Sequence, residues 1–253
     1  MIIHTRHNGT HMAFDLDHSI DISIPLVSGA AVPKCFWAPN MVIDPVKSGD
    51  FIGDIDQGGV VNFKNITINP HGNGTHTECV GHIISGDYTI HNSLKKCHSF
   101  ARLVSVIPEN VNEDTVVTLS TFPIDFFENL KEETIIIRTY PNTDAKLSKD
   151  YSGTNPTYID AQVIKKLNQL GMQHLMTDLP SVDREMDGGA LSAHRDFWFP
   201  EGRLDSGKTI TELVYIPNHI EDGLYLCNIQ IISLQSDASP SKILLFKPLS
   251  EME

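Results

Sequence analysis

Asn69-Pro70-His71-Gly72-Asn73-Gly74-Thr75-His76-Thr77-Glu78-Cys79-Val80-Gly81-His82 is the stretch from which the rest of the chain is best read. Three histidines and a glutamate fall within the twelve residues 71–82. Successive side chains of an extended segment alternate, so from Gly74 onward His76, Glu78, Val80 and His82 project to one face. Two or three of them can then meet one ion. Neutral imidazole and carboxylate suit Zn²⁺ or Mn²⁺, and a catalytic site uses about three protein ligands with a position left for water. The same residues also read as a polar loop whose histidines cap backbone groups. Spacing favours neither strongly: H-x-[DE] is noise at this composition, whereas H-x-[DE]-x-x-x-H is expected by chance far less than once. Gly9-Thr10-His11 repeats the Gly74-Thr75-His76 triplet with nothing acidic after it.

Upstream, Val60 to Asn69 alternates apolar and polar residues and leads straight into the cluster. Residues 27–58 are rich in Gly, Pro, Asn and Asp, which predicts a long loop over a surface or a site. Ile20-Asp21-Ile22-Ser23-Ile24-Pro25-Leu26 is an early strand by the same period of two. Downstream, β signals recur at 101–107 and 134–139. The clearest helix is Asp160 to Leu170, with Asp160 as N-cap, Gly171 as terminator and Val163, Ile164, Leu167 and Leu170 as its apolar stripe. Gln173 to Thr177 follows as a short strand, so a βαβ unit is expected in the second half. Gly223 to Phe246 alternates again. These elements make a mixed α/β domain with more strand than helix, and no repeat or linker divides the 253 residues.

Charge narrows the partners. The 19 Lys+Arg against 32 Asp+Glu give −13, so the basic surplus needed for phosphate backbones or anionic lipids is missing, and neither nucleic acid nor a membrane is an expected partner. No apolar run approaches the roughly 18 residues of a membrane span. Met1 to His11 holds three histidines and no apolar core of a secretory signal. Cys35, Cys79, Cys97 and Cys227 lie far apart without a CxxC pair, as expected of reduced thiols in the cytoplasm.

With these residues on the page, the chain resembles the cyclase-type metal-dependent hydrolases, the family of bacterial kynurenine formamidase and isatin hydrolase. Gly74-Thr75-His76-Thr77-Glu78 with His82 resembles the family signature H-x-G-T-H-x-D-x-P-x-H. Further blocks follow in order: Asp21-Ile22-Ser23, Arg138-Thr139, Asp178-Leu179-Pro180-Ser181-Val182-Asp183, Ala193-His194, Ile210-Thr211-Glu212-Leu213, Asp222-Gly223 and Ser239-Pro240. The resemblance, which runs over residues 18–248, implies a swivelling β/β/α domain with a mixed sheet and few helices, assembling as homodimers or homotetramers, and the chain is read as one such domain over 1–253. It implies His76, Glu78, His194 and Glu212 as ligands of a divalent metal, zinc first and manganese second, and His82 as the acid/base.

Three positions depart from the signature. Glu78 stands where Asp is usual and reaches one methylene further. Val80 replaces a proline, a loss of stiffness rather than of chemistry. Gly72 stands where the first histidine belongs, four before His76, and His71 lies five before. On an extended strand that odd offset turns His71 away from His76 and Glu78, and a bulge at Gly72 or Gly74 would be needed to bring it back.

The resulting expectation is an arylformamidase-like amidohydrolase, acting on a small, aromatic amide of the kind met in tryptophan catabolism. A metal site polarises the scissile carbonyl and lowers the pKa of water towards about 7, and His82 moves the proton. The rival is a binding or scaffold protein on the same fold, its metal site eroded at Gly72. Without the resemblance, His194 reads as the start of a surface helix, and Asp178 and Asp183 read as turn or cap residues. Phe36, Trp37, Trp198 and Phe199 are candidates for an apolar substrate wall. Cys79 reads as a small buried residue, and no G-x-S-x-G elbow is present.

Overall fold

A computed structural model describes residues 1–29 and 32–249, so residues 30 and 31 of the expected 27–58 loop lie outside the described residues. Seven strands close into a barrel in the order Gly223–Ile231, His98–Val106, Thr134–Thr139, His174–Thr177, Thr209–Glu212, His76–Glu78 and Ala238–Phe246, the last pairing back onto the first. The run from His98–Val106 to Thr209–Glu212 is parallel and every other pairing is antiparallel, so the sheet is mixed. Closure leaves the barrel itself without a free edge.

Residue alternation explains why the central strands are buried throughout. In Thr134–Thr139, Ile136 packs with Leu103, Met176, Tyr225 and Ile243 inside the barrel. Ile135 and Ile137 instead join Val104, Leu175 and Ile210 on the outer face. Helices Ala161–Gln169 and Ser192–Trp198 cover that outer face with Val163, Ile164, Leu167, Phe197 and Trp198. Both faces of such a strand leave water, so it reads as a continuous Ile run.

The 161–169 helix starts as expected, Asp160 accepting the Gln162 N–H at 2.7 Å, and Gly171 follows its end with φ +80. Leu170, expected on the buried stripe, caps the helix and is exposed. The strand expected over 20–26 is regular only at Ile20–Asp21, which pairs with Leu244 and Leu245; Ser23 bridges to Val214 alone. The strand expected over 60–69 shrinks to Lys64–Thr67 and pairs with Val42–Pro45 outside the barrel, all four of its residues exposed. Two further strands, Ile2–His7 and Thr10–Asp15, form a hairpin that anchors Phe14 between Leu226 and Phe246.

His174 begins one parallel strand, away from the residue 71–82 cluster, with its Nδ1 2.8 Å from Thr209 Oγ1. Burial pushes its pKa down to about 4, outweighing the pull of Glu133. The unfolded chain therefore binds a proton between about pH 6.5 and 4 that the folded chain refuses, and stability falls as pH falls through that window. Urea unfolding of metal-free protein at pH 7 and pH 4.5 should show His174→Gln relieving about 2 kcal/mol of the acid-side loss. An unchanged difference between the two pH values would remove His174 as its source.

Candidate metal centre

Register places the first residues. His76 lies opposite Glu212, Thr77 opposite Thr211 and Glu78 opposite Ile210. Directly opposed residues of an antiparallel pair point to the same face. Ile210 belongs to the outer cluster, so Glu78, His76 and Glu212 all emerge beneath the 192–198 helix. Thr77 and Thr211 turn the other way and meet at 2.8 Å. His76 Nε2 lies 3.4 Å from Glu212 Oε2, and Glu212 Oε1 accepts the Val182 N–H at 2.9 Å.

The third element is the short helix Ser192–Trp198, in which Ala193, His194, Phe197 and Trp198 form one buried stripe at i, i+4 spacing. Its N-terminus is capped from a distance: Asp183 accepts the N–H groups of Ala193 and His194 at 2.7 and 3.0 Å, and His194 Nδ1 at 2.6 Å. That fixes the imidazole with Nε2 facing inward, 3.1 Å from Glu78 Oε1 and 3.9 Å from Glu212 Oε1. His194 is buried, not the start of a surface helix. Trp198, expected to line a substrate wall, is fully buried beside the His194 ring and donates to the Lys208 carbonyl. Trp37 is 64% exposed, and Cys79 is buried, as expected.

His71 reaches the same centre by a route other than a bulged strand. Residues 69–74 are a turn held by the Gly72 and Asn73 N–H groups on the Asn69 carbonyl, so alternation does not apply there, and His71 Nδ1 comes to 3.0 Å from Glu78 Oε2. Gly72 could not carry the missing histidine. A Cβ at that position would lie 2.2 Å from the Ala38 Cβ. The 76–82 segment likewise stops being extended after Glu78: Val80–His82 is a 3₁₀ turn, which sends Val80 into the outer core and returns His82 Nε2 to 3.9 Å from Glu78 Oε2. Asp237, which no motif pointed to, completes the rim at 2.8 Å from His71 Nε2 and 3.5 Å from His82 Nδ1.

Does this set fit a divalent cation? His76 Nε2 and Glu78 Oε2 are buried without a hydrogen-bond partner, although His71 Nδ1 stands near the latter without the alignment of a hydrogen bond. Unpaired buried polar atoms are costly and mark a site for another group. His76 Nδ1 faces the Gly74 carbonyl at 3.0 Å, so His76, His194 and His71 each have one ring nitrogen occupied by an oxygen and the other directed inward, the arrangement of carboxylate- and carbonyl-backed metal ligands. Ligand atoms of His71, His76 and Glu78 lie within 4.8 Å of one another, as do those of Glu78, His82 and His194.

Electrostatics agree. Burial disfavours charge on His71, but Asp237 and Glu78 outweigh it and push the pKa up to about 10. Burial likewise opposes charge on His194, and Asp183 and Glu78 raise it to about 10. Glu78, despite complete burial, is held well below the usual carboxylate range by His82, His194 and His71. A pocket that forces protons onto two histidines is short of positive charge, and a divalent cation satisfies the same demand while releasing those protons.

A cavity of about 740 Å³ along Lys165, Asn168 and Phe199 to Asp205 lies away from these residues. A groove of about 380 Å³, lined by Pro39, Asn40, Ile68, Pro70 and Asn73, opens at His71. Among the described residues no helix is long and apolar enough to cross a membrane.

Comparison with known proteins bears on the fold and the family. No curated protein matches the chain by sequence. Isatin hydrolase A from Ralstonia solanacearum superposes with TM-score 0.66 at 10% identity, covering 90% of this chain and 91% of its own. Isatin hydrolase A from Labrenzia aggregata, bound to benzyl benzoate, gives TM-score 0.63 at 13% identity, with 90% and 93% covered. A "predicted metal-dependent hydrolase" from Bacillus stearothermophilus gives 0.62 at 16%, with 90% and 98% covered. These likenesses establish the fold. The sequence model of the Cyclase family matches residues 14–184, about two thirds of the chain and including His71, His76, Glu78, His82 and Asp183. With that match and a barrel shared over nine tenths of its length, the chain belongs to the Cyclase family.

Proposed function

We infer that this protein is a metal-dependent hydrolase that cleaves an amide-type C–N bond of a small substrate. The observation that carries the reading is the convergence of His76, Glu78, His194 and Glu212, from three separate segments, around two buried polar atoms without partners. Those four residues would hold the ion, with His71 as a further donor. A divalent cation bound there supplies Lewis acidity, polarising a carbonyl and bringing the pKa of water towards about 7.

The chain's own residues do the rest. Glu212 is oriented by the Val182 N–H and His194 by Asp183, so the donors are fixed before substrate arrives. His82 stands at the rim, its side chain 31% exposed, with Nε2 facing Glu78. From there it takes the proton of the attacking water and returns it to the departing nitrogen, without which an amine leaves poorly. The groove beside His71 is of a size for a small, partly apolar molecule. Arylformamides and isatin-like lactams share the reacting group this machinery requires.

The test uses protein loaded with zinc or manganese and two substrates, N-formylkynurenine and isatin. We expect turnover of at least one, and a fall of about 10²- to 10⁴-fold in kcat for His82→Ala with metal content unchanged. Both substrates remaining intact would sink the substrate class. A purified chain that takes up no metal would sink the hydrolase reading and favour a binding protein on this fold.

A further inference from the structure

The geometry assigns Asp237 as a positioning residue that sets, through one carboxylate oxygen, which nitrogen of His71 and of His82 faces the centre; this rests on the metal-hydrolase reading above. Asp237 lies immediately before the Ala238–Phe246 strand, whose first residue opposes Glu78. Its backbone is pinned: the Asp237 carbonyl accepts the Cys79 N–H at 2.9 Å, and the Ser236 carbonyl accepts that of Ile90 at 2.7 Å. Its Oδ1 accepts the Ser236 hydroxyl at 3.0 Å. The other oxygen, Oδ2, is left for the histidines.

The two rings stack with centroids 4.2 Å apart and planes 30° apart, which is why a single oxygen serves both. It receives His71 through Nε2 at 2.8 Å and faces His82 Nδ1 at 3.5 Å. Each ring therefore turns its opposite nitrogen inward. His71 Nδ1 stands 3.0 Å and His82 Nε2 3.9 Å from the same oxygen of Glu78. A carboxylate behind an imidazole fixes its tautomer and raises its basicity as a ligand. For His71 that means a lone pair for the cation, and for His82 a lone pair for the proton in transit. The ligand atoms of Asp237, His71 and His82 also lie within 4.8 Å of one another, so a direct ligand role is the alternative; in this assignment Asp237 acts through the two rings.

The experiment uses the zinc-loaded full chain with ¹⁵N-labelled histidine, and compares wild type, Asp237→Asn and Asp237→Ala. In wild type, His71 is expected to carry its proton on Nε2 and His82 on Nδ1. Both variants should lose the single Nδ1–H form of His82 and show zinc affinity, by competition with a chromophoric chelator, lowered about 10- to 100-fold. The isosteric Asn variant guards against loss of fold, which circular dichroism monitors. A role in folding alone would lower Tm and leave the tautomers and the affinity of the folded protein as in wild type, and that result overturns the assignment. If wild type takes up no zinc, the metal reading itself fails and this assignment fails with it. If wild type takes up zinc and the variants match it, only Asp237 is misassigned.

Discussion

The Glu78→Gln variant is expected to emerge from purification with less than about a tenth of the zinc or manganese held by wild type, and with hydrolysis reduced by about 10³-fold or more. Among the described residues Glu78 is the one anionic side chain facing three histidines at once: His194 at 3.1 Å, His71 at 3.0 Å and His82 at 3.9 Å. An amide of the same shape offers a weaker lone pair and no charge. The stability effects should separate. Metal-free Glu78→Gln should itself be less stable than metal-free wild type at pH 7, because the protonated His71 and His194 lose their buried counter-charge. Added zinc should stabilise wild type by about 4 kcal/mol at a thousandfold excess over Kd and leave the variant unmoved. Elemental analysis and thermal melts with and without zinc read both effects. Equal metal content in the two proteins would remove Glu78 from the centre.

Asp183→Ala should cost about 3 kcal/mol in urea unfolding of the metal-free protein and lower metal affinity about 10- to 100-fold. The 192–198 helix begins after Leu191 at φ +47, with no side-chain cap of its own. Asp183 supplies the missing acceptor for two of its N–H groups and for His194 Nδ1. Burial raises the Asp183 pKa, but His194 outweighs it and the carboxyl is held below its usual range. Truncation leaves buried donors unpaired and frees the His194 ring to turn. A loss under about 0.5 kcal/mol would mean that packing of Phe197 and Trp198 holds the helix unaided.

Several of these features were legible before folding. The period-two pattern of His76-Thr77-Glu78 is local chemistry, and the strand puts His76 and Glu78 on one face. The capped helix after Asp160 follows from its own residues in the same way. Glu212 and His194 carried no spacing signal and were nominated by resemblance, which orders blocks along a chain but gives no distances. The expectation for His71 misled because it assumed an extended backbone, whereas Asn69-Pro70 opens a turn in which parity has no meaning. Asp183 looked like a capping residue and is one; its bond to His194 was not visible. Asp237 had no signal at all, since a lone Asp before Ala-Ser-Pro resembles any turn.

Composition and periodicity were enough to decide the kind of protein: acidic, strand-rich, with a histidine-acid segment suited to a divalent ion. These properties depend on neighbours within a few residues, where backbone geometry is set by local sterics. Barrel closure decided the centre itself. It laid Thr209–Glu212 and Ala238–Phe246 on either side of His76–Glu78, bringing groups up to 166 residues apart within 2.8 Å. Such meetings follow from the burial of two apolar faces over the whole sheet, a cooperative outcome that no short stretch of chain encodes alone.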